Sequence, residues 1–82
     1  MKIENICTNC QLVTMSTNCG QLEIVYSYGV PVLSYCGNMF HRHWDGWSVT
    51  TSRHISKAIG YTIPKKEWEK MTVEELEVPT KF

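Results

Sequence analysis

Apolar and polar residues alternate with period two through the first half of the chain, and this spacing predicts strands. Lys2 to Cys7 alternates weakly. Leu12 to Met15 is short and rich in Val and Thr. Leu22, Ile24 and Tyr26 alternate with Glu23, Val25 and Ser27, leaving one face more polar. Val32 to Cys36 gives the next strand, and Met39 to His43 the last. Breaks fall between them at Asn18-Cys19-Gly20, Tyr28-Gly29-Val30-Pro31, Gly37-Asn38 and Asp45-Gly46. Asn and Gly tolerate positive φ, and Pro cannot donate to a central ladder.

The period then changes. Ile55, Ala58 and Ile59 lie at i, i+3 and i+4, with Gly60 at the expected stop, so a helix is predicted over about 51–59. Thr50 or Thr51 is the expected cap. Arg53, Ser56 and Lys57 would face outward. Pro64 can open a second helical turn through Trp68 and Met71. Thr72 to Glu75 fits the Thr-x-x-Glu capping box of another short helix. Strands followed by helices predict an α+β domain, a small antiparallel sheet of three to five strands with one or two short helices packed on it. Residues 1–82 read as one domain, with 72–82 as a mobile tail.

At 82 residues the chain is a marginal domain that needs aromatics, a metal, disulfides or a partner to hold it. Tyr26, Tyr28, Tyr35, Phe40, Trp44, Trp47 and Tyr61 cluster in the middle, where the core or a binding face next to it is expected. Eight basic and eight acidic residues cancel, so no global field steers the chain to nucleic acid or an anionic membrane. No apolar run is long enough to cross a membrane. The start, Met-Lys-Ile-Glu-Asn, lacks the apolar core of a secretory signal, so a cytosolic chain is expected. Locally the charge is uneven. Residues 41–66 carry Arg42, Arg53, Lys57, Lys65 and Lys66 against Asp45, while 67–82 are acidic.

Cys7, Cys10, Cys19 and Cys36 include one close pair, Cys7-x-x-Cys10. A structural zinc needs four ligands, usually as two close pairs, so free thiols are expected and no metal or cofactor is assigned. His41 and His43, two apart on a strand, point to one side. A thiol and an imidazole can form a catalytic pair, but no oxyanion turn or acid is tied to them, and the chain does not read as an enzyme.

Three stretches carry a family likeness: Ser27-Tyr28-Gly29-Val30-Pro31-Val32, Trp47-Ser48-Val49-Thr50-Thr51-Ser52-Arg53-His54-Ile55, and Ile63-Pro64-Lys65-Lys66-Glu67-Trp68. Over roughly residues 10–71 the chain resembles a family of small bacteriophage proteins classed as a domain of unknown function. It departs from that pattern at Val30, at Leu33-Ser34 and at Ala58-Ile59. The resemblance implies a phage or prophage origin and action in the cytoplasm of an infected bacterium, without an established chemistry. The expected function is a small binding protein that inhibits or modifies a host system, as an anti-CRISPR or other anti-defence inhibitor does. The alternatives are a nucleic-acid-binding module and a zinc-stabilised adaptor. The expected partner surface comprises His41, Arg42, His43, Trp44, Trp47, Arg53 and Lys57. Its partner would be a host protein with an acidic surface, nucleic acid being second and self-association a further class.

Overall fold

The computed structural model describes residues 2–17, 20–36, 39–60 and 62–76. These form five strands and two helices, β1 (Lys2–Cys7), β2 (Cys10–Thr17), β3 (Gly20–Ser27), β4 (Val30–Cys36), β5 (Met39–Arg42), α1 (Val49–Ile59) and α2 (Lys65–Lys70). The strands make one antiparallel sheet in sequential order, and the helices follow, so the α+β expectation holds. Of the predicted turns, Asn18-Cys19 and Gly37-Asn38 lie outside the described residues.

The β3–β4 turn shows why the sequence breaks there. Tyr28 and Gly29 both take positive φ, 53° and 76°, which matches the twist of a two-residue hairpin. Gly29 adopts this freely, whereas an aromatic residue does so rarely. The strand after the turn begins earlier than expected, at Val30. Tyr26 pairs with Pro31 and Val25 with Leu33, which leaves Val32 as the extra residue of a bulge. That irregularity lets a proline sit inside a paired strand.

The helix start also corrects an expectation. Ser48, in extended backbone, is the cap, and its hydroxyl accepts from the Thr51 N–H at 3.0 Å. Thr51 is instead buried, its own hydroxyl 3.4 Å from that of Ser27. At the other end Gly60 takes φ 89° and its N–H closes on the Ser56 carbonyl, as its position predicts. Pro64 opens α2. The Thr72-x-x-Glu75 signal yields no helix. Val73 forms a parallel bridge with Arg42, and the Glu74 N–H donates to the Arg42 carbonyl, so pairing with β5 overrides the local signal. Of the expected tail, 73 and 74 are tied to the sheet and 77–82 lie outside the described residues.

One ladder row sets the core. Leu12, Val25 and Leu33 are direct cross-strand neighbours, and Ile55 of α1 and Trp68 of α2 close over them. Each such buried side chain contributes about 1.5–3 kcal/mol. On the other face of the sheet Ile24 is also fully buried, between Val13 and Ser34. The core is therefore mainly aliphatic, and its buried aromatic, Trp68, stands outside the expected cluster. Tyr61 lies outside the described residues.

Candidate functional site

Alternation along β5 divides the expected partner surface. Arg42 pairs with Leu33 and so shares the helix-bearing face of the sheet. His41 pairs with Ser34 and lies on the opposite face. A single strip from His41 to Lys57 is therefore not formed.

Arg42 is buried and acts as a clamp. Its Nε donates to the Trp44 carbonyl at 2.7 Å and one terminal nitrogen donates to the Asp45 backbone carbonyl at 2.9 Å. The other terminal nitrogen donates to the carbonyls of Trp68 and Met71 at 2.9 and 3.2 Å. The guanidinium also lies 4.8 Å from the centre of the Trp68 ring. Carbonyls at a helix C-terminus lack partners within the helix, and a planar five-donor fork suits them. The Trp68 indole N–H completes the join by donating to Gly46 at 2.8 Å. Trp44, half-buried, packs against the core and has its ring over Gly46.

The histidines are also engaged within the chain. The Nδ1 of His41 lies 2.7 Å from a carboxylate oxygen of Glu74. His43 bridges the Glu74 carbonyl, 2.8 Å from Nδ1, and the Ser34 hydroxyl, 2.7 Å from Nε2. A carbonyl only accepts, so Nδ1 carries the proton, and in the neutral ring Nε2 accepts from Ser34. His41, Arg42, His43 and Trp44 thus assemble the join between β5, the loop after it and residues 68–74. The sequence hid this, because their partners come from far along the chain.

Trp47, Arg53 and Lys57 are exposed. Arg53 and Lys57, four apart, share the outer face of α1. Neither forms an ion pair among the described residues. Trp47 sits beside Thr51 and Ser52, and the Lys65 ammonium lies 5.1 Å from the centre of its ring. From Gly46 to Lys66 the sequence holds no acidic residue, so nothing from this stretch neutralises the face. Exposed apolar side chains not singled out as contact residues by sequence reasoning include Tyr28 at 61%, Val30 at 46% and Val49 at 53%. The positive-φ turn, marked in sequence only by Gly29, turns Tyr28 outward.

Beneath α1 runs a buried polar seam. The Ser27 hydroxyl is 2.8 Å from Nδ1 of His54, and Tyr28 tilts over that imidazole at 5.7 Å. The Cys10 thiol donates to the His54 carbonyl at 3.6 Å. Burial, with a smaller effect from neighbouring Cys7, pushes the Cys10 thiol up to about 11, so it stays protonated at neutral pH. Ser27 and His54 are spaced like a nucleophile and base, but each is buried under the helix, where a substrate does not reach. A groove of about 260 Å³ lined by Phe40, Ile63, Pro64, Glu67 and Met71 lies beside α2. It is smaller than the ~300–1,000 Å³ usual for a small-molecule site. Among the described residues no group of three or more His, Cys, Asp or Glu is placed to hold a metal, and no helix is long and apolar enough to cross a membrane.

Comparison with known families matches residues 1–75 to a family model. The chain belongs to DUF8033, a family of unknown function. No curated protein and no solved structure matches it. The DUF8033 match takes in the whole sheet, both helices and the segment that bridges to β5.

Proposed function

We propose that this chain is a small binding protein that meets an acidic surface of a host bacterial protein through the outer face of α1 and the adjoining Trp47. The carrying observation is that Arg53 and Lys57 stand exposed on one face of a helix without acidic residues, next to an exposed tryptophan. Tryptophan and arginine are the side chains that most often anchor protein interfaces, and complementary charge steers encounter. The likeness of the Ser27–Val32 and Trp47–Ile55 runs to small bacteriophage proteins supports a phage origin. With it goes action inside the infected cell as an anti-CRISPR or other anti-defence inhibitor.

The test is affinity capture from bacterial lysate with the parent chain and with Arg53→Glu/Lys57→Glu, followed by mass spectrometry. A protein retained by the parent and lost by the variant supports the reading. Equal retention by both places the contact elsewhere, and salt-sensitive retention of nucleic acid instead of protein replaces this reading with the nucleic-acid one. For the anti-defence role, the chain is expressed in a bacterium with active CRISPR immunity that is challenged by a targeted phage. Plaque numbers should rise with the parent and not with the variant; no rise with the parent removes the anti-CRISPR role.

A further inference from the structure

Cys7 and Cys10 close the β1–β2 hairpin as direct cross-strand partners on either side of Thr8-Asn9. Directly opposed residues of an antiparallel pair have Cα atoms about 4.5–5.5 Å apart. A disulfide spans Cα separations of roughly 4.4–6.8 Å, so the backbone already holds the two residues within bridging range. Asn9, at φ 60°, keeps the turn tight, and both thiols are free. The sulfurs differ in access. Cys7 is half-buried, whereas Cys10 is fully buried with its S–H aimed at the His54 carbonyl.

We propose that Cys7 and Cys10 form a reversible redox pair toward low-molecular-weight disulfides such as glutathione disulfide, with Cys7 the attacking and Cys10 the resolving sulfur. Cys7 loses its proton to solvent, and its thiolate attacks one sulfur of the oxidant. The oxidant's S–S bond breaks, and one glutathione leaves as thiolate. Cys10 then gives up its proton and attacks the Cys7 sulfur, which expels the second glutathione. Two protein thiols are oxidised to one disulfide, and one glutathione disulfide is reduced to two thiols. The elevated pKa of Cys10 makes the second step the slower one, so the mixed disulfide on Cys7 accumulates first. This site is independent of the binding reading above.

The experiment incubates the purified full chain in glutathione disulfide and glutathione at varied ratio. Free thiols are then trapped by alkylation and the cysteines mapped by peptide mass spectrometry. A glutathione adduct on Cys7 should appear first, followed by a Cys7–Cys10 bridge that thiol excess reverses. Cys10→Ser should stop at the Cys7 adduct, and Cys7→Ser should leave Cys10 unmodified on the same timescale. Because Cys10→Ser alters a buried position, timed alkylation of the native reduced parent serves as a second measurement, in which Cys7 should label well before Cys10. Full alkylation of both thiols at every ratio, a bridge to Cys36 or Cys19, or labelling of Cys10 ahead of Cys7 would overturn the proposal.

Discussion

Arg42 and Arg53 belong to the same basic stretch of sequence and occupy opposite kinds of environment. Arg42 ends β5 beside carbonyls with acceptor capacity to spare, those of the loop after it and of the end of α2. Its guanidinium fills them, and the face of Trp68 covers the charge. Arg53 sits midway along α1, where the backbone is already paired within the helix and Gly60 closes the last turn. Nothing in the backbone there draws the side chain inward. In a domain this small, a basic side chain becomes a structural clamp where backbone acceptors are left over, and a surface charge where they are not.

The sharpest way to break this comparison is Arg42→Ala. It removes the guanidinium donor from four carbonyls, of which that of Trp68 keeps only the Met71 N–H, and removes the cation from the Trp68 ring, so a loss of about 3–5 kcal/mol is expected in urea unfolding. Arg42→Lys should recover little, because an ammonium cannot reach carbonyls on both sides of the fork. A loss under about 1 kcal/mol for Arg42→Ala would end the clamp reading.

Gly46→Ala tests the loop that the clamp secures. A Cβ there would lie 2.5 Å from Cζ2 of Trp44 and 2.7 Å from Cε2. The indole is rigid and packed against the core, so it must shift as a body, at a cost of about 1–3 kcal/mol. Thermal unfolding measures it. An unchanged melting temperature would mean that the Trp44 ring is not held.

Much of the fold was legible in the sequence because its signals are local. Period-two alternation marks the strands, Ile55, Ala58 and Ile59 mark the helix face, and Gly60 and Pro64 mark its stop and the next start. The failures come from distant partners. Thr72 and Glu75 spell a helix start, yet Glu74 lies where it can pair with β5. His41 and His43 read as partner-contact residues, yet Glu74 holds both within the chain. Of the expected contact residues, those on α1 could be placed outside from spacing alone. Arg42 could not be placed, because half of its acceptors, at Trp68 and Met71, become neighbours only in the folded chain.

The cap offers a finer test on α1. Ser48→Ala removes the acceptor of the Thr51 N–H and should cost about 1 kcal/mol. Thr50→Ala, at an exposed position, should change stability by less than about 0.5 kcal/mol. Equal losses in the two variants would return the cap to Thr50.

The smallest effect on stability is expected at the residues proposed to matter most for binding. Arg53→Ala should shift the unfolding free energy by less than about 0.5 kcal/mol, because the side chain is exposed and makes no ion pair among the described residues. Lys57→Ala should cost slightly more, about 0.3–1 kcal/mol, since it lies in the last turn where a cation meets the negative end of the helix. Both variants should weaken the complex with the captured partner, and added salt should slow association of the parent more than of either variant. Calorimetry or surface plasmon resonance on folded variants separates the two quantities. A variant that loses stability but binds as the parent does would make α1's outer face structural, like Arg42. A variant that keeps its stability and loses binding completes the contrast between the two arginines.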